Sequence, residues 1–106
     1  MTDNHFGKFI QRLKDLDMYE DTMIIVTTDH GYFLGERNYF GKNYMHMYNE
    51  LAHIPLLVRF PKGERAGERV SSITQNIDIM PTVLDYSEIE IPAEVCLLYT
   101  SPSPRD

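Results

Sequence analysis

The alternation of apolar and polar positions predicts a helix followed by a buried strand in the first third of the chain. Residues 3–17 have apolar side chains at spacings of three and four, which is typical of an amphipathic helix with one apolar stripe. Asp3 or Asn4 is expected to cap the N-terminus of this helix. After a polar turn, the unbroken apolar run at residues 23–26 predicts a strand covered on both faces. The stripe of the helix consists of Phe6, Phe9, Ile10, Leu13 and Leu16.

The remainder of the chain predicts shorter elements. Residues 31–50 are expected to form an ordered loop that is packed by its many aromatic side chains. A second buried strand is predicted at residues 56–58, and a short strand at residues 70–74. Asp78 is expected to cap a short helix that has Pro81 in its first turn.

Residues 95–106 differ in character from the rest of the chain. They follow no helical or strand period, and they contain two Ser-Pro pairs, which disfavour regular structure. We therefore interpret residues 1–94 as the folded part and residues 95–106 as an unstructured tail. This tail resembles a translated cloning or sequencing-adaptor remnant, and a natural disordered tail is the alternative.

The order of the first elements indicates the fold class. A helix, a short polar turn and a continuous apolar strand make up the second half of a βαβ unit. The predicted fold class is therefore α/β. Because the strand that should precede the helix is absent from the chain, we expect this sequence to be a piece of a longer domain.

Composition and charge narrow the choice of partners. The chain has 106 residues, of which 42% are hydrophobic and 25% are charged, as in an ordinary soluble globular protein. The net charge of −6 argues against a nucleic-acid or anionic-membrane partner. No apolar run approaches the roughly 20 residues that a membrane-spanning helix needs. Cys96 is the single cysteine, so no internal disulfide can form.

Asp29 and His30 follow the first predicted strand directly, at the end where open α/β sheets place their ligands. Gly31 would let the chain turn there, so that both side chains face one site. Carboxylate oxygen and imidazole nitrogen both bind divalent metals, but two ligands are too few for a site. A general-base histidine oriented by the aspartate, and an aspartate that caps the turn, are the alternatives. Lys42, in the following loop, would by itself be a solvated surface charge.

Taken together, residues 22–61 resemble the C-terminal metal-site region of the sulfatases, within the alkaline phosphatase superfamily. The matching features are a strand ending in Thr-Asp-His-Gly, the Gly35-Glu36 pair, Lys42 and a strand of the form Ile-Pro-Leu-Leu-Val-Arg. The resemblance extends over residues 3–94, because the preceding helix and the segment ITQNIDIMPTVLDYSEIEIP also match the family. It implies a partial alkaline-phosphatase-like sandwich, with a mostly parallel central sheet flanked by helices.

The resemblance also implies a role for each candidate residue. Asp29 and His30 would be two ligands of the active-site divalent cation, which is usually calcium in sulfatases. Many members have asparagine at the position of His30, and because calcium prefers oxygen ligands, His30 leaves manganese open as well. Lys42 would be a catalytic and substrate-binding residue that holds the sulfuryl oxygens or the leaving group. His46 and Arg37 lie near enough in sequence to contact substrate, with surface or packing roles as the alternative.

The implied activity is hydrolysis of a sulfate ester of a small molecule or a carbohydrate. Sulfatases use a formylglycine nucleophile made from the first residue of a Cys/Ser-x-Pro-x-Arg motif, whereas Cys96 is followed by Leu-Leu-Tyr-Thr. We therefore expect the formylglycine in an N-terminal part of the parent protein, and we expect this chain alone to be inactive. The alternatives are a phosphonate or phosphodiester hydrolase of the same superfamily, and a non-catalytic remnant or binding module.

Overall fold

The structure, a computed structural model, describes residues 1–42 and 46–92 of the chain. The chain divides into two compact units, Met1–Arg69 and Val70–Asp106. The predicted boundary between residues 94 and 95, and the predicted tail beyond it, lie outside the described residues. In the described part of the chain, no helix is long and apolar enough to cross a bilayer.

The first unit begins with the predicted amphipathic helix, α1 (Thr2–Asp15), whose apolar stripe buries Leu13. Met1 occupies the capping position, and no side-chain hydrogen bond caps the helix. The predicted cap at Asp3 or Asn4 is therefore wrong, because both residues already belong to the first helical turn. Asp3 still stabilises this end of the helix, since a negative charge there complements the helix dipole.

Among the described residues of the first unit, four short strands follow α1: β1 (Ile24–Thr27), β2 (Phe33–Leu34), β3 (Phe40–Gly41) and β4 (Leu56–Arg59). β1 pairs antiparallel with β4, with Ile24 opposite Arg59 at one end. β2 pairs antiparallel with β3, with Phe33 opposite Gly41. Both sheets of the described residues are thus two-stranded and antiparallel, so the mostly parallel central sheet stays a prediction.

The strands β1 and β4 are less covered than their apolar sequences predict. Leu57 in β4 is 63% exposed, and the three apolar residues of β1 are half-buried. The predicted burial of both strands is therefore wrong for this chain, because burial on two faces requires a packed layer on each side of the sheet. Helix α1 lies on one side, and a shallow apolar groove of about 290 Å³ remains between helix and sheet. The groove is lined by residues that include Phe6, Ile10, Tyr19, Val26 and Val58.

The best-buried side chain of the first unit lies in the aromatic loop after β1. Phe33 is fully buried, and its ring meets those of Tyr39 and Tyr48 at centroid distances of 5.9 and 6.1 Å. A short helix, α2 (Asn49–Ala52), follows, and its Leu51 is 5% exposed. For its described residues, the prediction of an ordered loop is confirmed. The order comes from edge-to-face aromatic contacts and from the β2–β3 hairpin.

The described residues of the second unit contain one α-helix, α3 (Ile79–Tyr86). Asp78 precedes it as predicted, but its carboxylate accepts a hydrogen bond from the backbone N–H of Gln75 at 2.7 Å and so closes the turn before the helix. Pro81 is buried in the first turn of α3, where no backbone donor is needed. Residues 70–74 form no strand, so that prediction is wrong. A short apolar stretch becomes a strand only when a neighbouring strand supplies the ladder.

Candidate active site

Gly31 packs the turn after β1 against helix α2. The N–H of Gly31 donates to the carbonyl oxygen of Leu51 at 2.8 Å. A Cβ atom at Gly31 would lie 1.8 Å from the carbonyl oxygen of Glu50, so a larger residue does not fit without movement of the backbone. Glycine is therefore required here by the close approach of two backbone segments. This contact supports the turn that contains Asp29 and His30.

The imidazole of His30 is held in one tautomer. Its Nδ1 lies 2.8 Å from the carbonyl oxygen of Gly31, and because a carbonyl can only accept, Nδ1 has the proton. The lone pair on Nε2 is left for another partner, and Nζ of Lys42 donates to it at 2.6 Å. The same Nε2 lies 3.3 Å from Oδ2 of Asp29. The unprotonated nitrogen thus faces both a cation and a carboxylate.

The carboxylate of Asp29 is oriented by its own turn and remains open to solvent. Its Oδ1 accepts hydrogen bonds from the backbone N–H of His30 at 3.0 Å and from the hydroxyl of Thr28 at 3.3 Å, while 81% of the side chain is exposed. Partial desolvation acts to raise the pKa of Asp29, but the electrostatic attraction of His30, when that ring is protonated, and these hydrogen bonds outweigh it. The pKa of Asp29 therefore lies below its ordinary value of 3.8, and the group is ionised at neutral pH.

Lys42 reaches His30 because the β2–β3 hairpin folds the loop back on itself. Phe33 pairs with Gly41, so the neighbouring residues Tyr32 and Lys42 are brought opposite each other. Lys42, twelve residues after His30 in the sequence, is thus brought into contact with the imidazole of His30. The hairpin therefore joins Lys42 to the turn at the end of β1.

The other two candidates, His46 and Arg37, make their described contacts around Tyr48. The ring of His46 meets that of Tyr48 edge-on, at a centroid distance of 6.0 Å. The guanidinium of Arg37 lies 4.2 Å from the centre of the same ring, and its Nε donates to Oε1 of Glu50 at 3.2 Å. The structure therefore places Arg37 in a packing role against α2, and it leaves His46 exposed beside Tyr48.

The sequence pattern did not indicate the contribution of α2 to this site. Glu50 touches Gly31 through its backbone and binds Arg37 through its carboxylate. Its Oε2 is buried, and no described residue gives it a hydrogen bond. No signal in the spacing marks this contact, because Gly31 and Leu51 are far apart in the sequence and the loop between them has no period.

Asp29 and His30 have the donor types that a divalent cation accepts. The carboxylate offers oxygen and Nε2 offers a nitrogen lone pair, while Nδ1–H is held by a carbonyl, an arrangement typical of metal-binding histidines. Among residues 1–42 and 46–92, no group of three or more His, Cys, Asp or Glu side chains could hold a metal ion. The pair therefore fits part of a metal site, and further ligands would have to come from elsewhere.

The class of protein follows from a comparison with protein families. The model of the Sulfatase family matches residues 1–89, which include the whole cluster at the end of β1. The chain therefore belongs to the sulfatase family, and the resemblance noted in the sequence is confirmed.

Several sulfatases are similar to this chain over most of its length. N-acetylglucosamine-6-O-sulfatase of Bacteroides thetaiotaomicron is 37% identical over 93 residues, which cover 88% of this chain and 16% of that protein. Arylsulfatase K of Homo sapiens is 41% identical over 91 residues, which cover 86% of this chain and 16% of that protein. The uncharacterized sulfatase YidJ of Escherichia coli is 34% identical and covers 85% of this chain. The chain thus spans 16–17% of the length of these relatives.

A solved structure is also similar, that of BT4656 in complex with its substrate D-glucosamine-2-N,6-O-disulfate. The TM-score is 0.79 at 36% sequence identity, over 88% of this chain and 18% of that chain. The likeness confirms a fold of the sulfatase, alkaline-phosphatase-like type for this segment.

Proposed function

We propose that this chain is part of a metal-dependent sulfatase, an enzyme that hydrolyses sulfate esters, and that it forms one side of the active site. The observation that supports this most directly is the cluster at the end of β1. There, Nε2 of His30 lies 2.6 Å from Nζ of Lys42 and 3.3 Å from Oδ2 of Asp29. Because the chain spans 16% of its sulfatase relatives, the activity would belong to a longer parent protein.

Asp29 and His30 would hold the divalent cation. When bound, the cation would supply Lewis-acid polarisation and charge neutralisation at the sulfate group. The carboxylate of Asp29 is ionised at neutral pH, and Nε2 of His30 faces the same turn, so the two groups offer oxygen and nitrogen donors side by side. Calcium suits the carboxylate oxygen, and the nitrogen donor leaves manganese as the alternative.

Lys42 would bind the sulfate group itself. Its ammonium is a positive charge that the β2–β3 hairpin brings beside His30. As the S–O bond of the ester breaks, negative charge grows on the leaving oxygen, and a cation already in place stabilises that charge. His46 is exposed beside Tyr48 and would contact a more distant part of the substrate.

The nucleophile would come from another part of the parent protein. The printed sequence contains no Cys/Ser-x-Pro-x-Arg motif from which a formylglycine could be made. Without a nucleophile, the cluster at the end of β1 can bind the anionic ester but cannot attack it. We therefore expect the 106-residue chain alone to be inactive.

The substrate would be a sulfated carbohydrate, and we propose a sulfated amino sugar. One relative is named N-acetylglucosamine-6-O-sulfatase, and the similar solved structure holds D-glucosamine-2-N,6-O-disulfate as its substrate. Both names contain a 6-O-sulfated glucosamine unit. Glucosamine 6-sulfate is therefore the first substrate to test.

Substitutions in the full-length parent test the roles of the cluster. Lys42→Ala is expected to lower kcat/KM for glucosamine 6-sulfate by about 100-fold or more, since it removes a preorganised cation. Asp29→Asn should lower activity and raise the concentration of added metal needed for half-maximal rate. Lys8→Ala is the matched control, because Lys8 is exposed on α1, and it should leave both quantities unchanged. Full activity in Lys42→Ala would overturn the proposal.

A phosphonate or phosphodiester hydrolase of the same superfamily is the second candidate. The nitrogen donor of His30 is compatible with it, because the resemblance implies histidine at this position both in a subset of sulfatases and in phosphonate or phosphate ester hydrolases. The same cation and lysine would neutralise a phosphonate as readily as a sulfate. Comparison of the rates for matched sulfate and phosphonate monoesters in the parent enzyme distinguishes the two, and faster phosphonate hydrolysis would replace the first proposal.

A further inference from the structure

The β2–β3 hairpin has one buried and one exposed face. Side chains alternate along a strand, so Phe33 and Gly41 share one face, and Leu34 and Phe40 share the other. Phe33 is fully buried, whereas Leu34 and Phe40 are 70% and 73% exposed. The exposed face therefore presents large apolar side chains to solvent.

This exposed face lies next to the candidate active site. One further step in the register brings Tyr32 opposite Lys42, just beyond the paired residues. Tyr32 is 48% exposed, and its ring meets that of Phe40 edge-on at a centroid distance of 5.6 Å and an angle of 89°. Such a pair is favourable and orients both rings. Lys42, whose Nζ contacts His30, follows directly after β3.

We propose that Tyr32 and Phe40 form a platform for the sugar ring of the substrate and so determine specificity for carbohydrate sulfates. This inference rests on the proposed function. The sulfate group needs a cation, which Lys42 offers, and the apolar C–H face of a pyranose packs on the negative face of an aromatic ring. Phe40 and Lys42 flank Gly41, so their Cα atoms lie at most about 7 Å apart. That separation matches one sugar ring with its ester group.

Two other occupants would also cover this apolar surface, a further segment of the parent protein and a second copy of the chain. The sugar is favoured because the hairpin register brings Tyr32 opposite Lys42, and Nζ of Lys42 contacts His30 in the candidate site. A protein segment packed over Tyr32 and Phe40 would close the approach to Nζ of Lys42, which the proposed reaction needs open.

Saturation-transfer NMR on the 106-residue chain, with glucosamine 6-sulfate as the probe, tests the platform without turnover. Irradiation of the aromatic resonances is expected to transfer saturation to the ring C–H protons of the sugar. Phe40→Ala should weaken sugar binding roughly two- to tenfold, the effect of one aromatic contact, and should leave the binding of inorganic sulfate unchanged. Phe40→Tyr keeps the ring and should bind the sugar as the unsubstituted chain does.

Phe9→Ala is the matched control variant. Phe9 is 51% exposed on α1, and its ring pairs with that of Phe6 at a centroid distance of 6.4 Å. The control therefore makes the same substitution in another exposed aromatic pair, distant in sequence from Phe40. It should change neither sugar nor sulfate binding. The amide spectrum of Phe40→Ala checks its fold, and because Phe40 is exposed, the buried ring of Phe33 should keep its resonances.

The possible results test the aromatic platform and the proposed function separately. Equal sugar affinity in Phe40→Ala and the unsubstituted chain, with sulfate binding intact, would overturn the platform and leave the proposed function standing. An unsubstituted chain that binds neither inorganic sulfate nor the sugar would overturn both. Aromatic resonances that shift with protein concentration but not with sugar would assign the face to a second copy of the chain and overturn the platform.

Discussion

Nζ of Lys42 lies 2.6 Å from Nε2 of His30, and this contact joins the β2–β3 hairpin to the end of β1. Nε2 accepts this bond because the proton of the imidazole is on Nδ1, beside the carbonyl of Gly31. An imidazole nitrogen has one lone pair, so Nε2 cannot accept from Lys42 and bind a cation at the same time. The lysine therefore competes with a metal ion for His30.

Lys42→Met is expected to strengthen the binding of Mn²⁺ to the chain by roughly tenfold. The substitution frees the lone pair on Nε2 of His30, and it removes a positive charge that repels the ion by about 1 kcal/mol or more at contact distance in water. The measurement is paramagnetic broadening of the His30 resonances during a Mn²⁺ titration. Lys8→Met is the control and should titrate as the unsubstituted chain does. Weaker binding in Lys42→Met would contradict the prediction.

Gly31→Ala tests the close approach of the turn to α2. The new Cβ would lie 1.8 Å from the carbonyl oxygen of Glu50, so the backbone must move and the free energy of unfolding should fall by about 1–3 kcal/mol. Gly7→Ala is the matched substitution, because nothing lies within 4 Å of the new Cβ and Gly7 is in a helix. It should raise the free energy of unfolding by about 0.5–1 kcal/mol. Urea denaturation measures both, and effects of the same sign would contradict this account.

Glu36 closes the β2–β3 hairpin through a charged hydrogen bond that depends on pH. Its Oε2 accepts from the backbone N–H of Leu34 at 2.6 Å, and this bond, with one from its own N–H, holds the pKa of Glu36 below its ordinary value of 4.5. A pKa that is lower in the folded state means that the bond stabilises the hairpin above pH 4.5 and is lost as pH falls through the depressed pKa.

The shift of the Leu34 amide proton should therefore follow the titration of the Glu36 carboxyl carbon, with a midpoint below 4.5. Two NMR pH titrations measure these signals. Glu36→Gln should abolish the acid transition of the Leu34 amide. A Glu36 carboxyl that titrates at its ordinary value or above it would show that the hydrogen bond does not hold in solution.

Arg59 fastens β4 to the turn between α1 and β1. Its Nη1 donates to the carbonyl oxygens of Tyr19 and Thr22 at 2.8 and 3.3 Å, and its Nη2 lies 3.0 Å from the carboxylate of Glu20. The guanidinium also lies 3.8 Å from the centre of the Tyr19 ring. Arg59→Ala should lower the free energy of unfolding by about 2–4 kcal/mol, because several acceptors lose their donor together.

Arg65→Ala is the control for this substitution. Arg65 pairs with Glu68 through two hydrogen bonds of 2.7 Å, but its side chain is 61% exposed. Solvent screens an exposed ion pair, so Arg65→Ala should have only a small effect in the same urea denaturation experiment. Equal losses of unfolding free energy in Arg59→Ala and Arg65→Ala would mean that the described contacts of Arg59 stabilise the fold no more than a surface ion pair does.

The local spacing of apolar residues was sufficient to predict the position of the first helix and the first strand. The stripe that buries Leu13 predicted α1, and the apolar run before Asp29 predicted β1. The same reasoning failed for the burial of β1 and β4, because an apolar run indicates that a strand can be buried but not what covers it. Leu57 is 63% exposed in this chain, which spans 16% of its relatives.

The sequence by itself determined the family and the donor types at the end of β1, because both depend on residue identity along one continuous stretch. Asp29, His30 and Lys42 could be named from it. Only the tertiary structure decided which nitrogen of His30 is free, how the hairpin returns Lys42 to it, and why Gly31 must be glycine. These features depend on contacts between backbone segments that are distant in sequence. The periodicity of residue types along the chain does not predict such contacts.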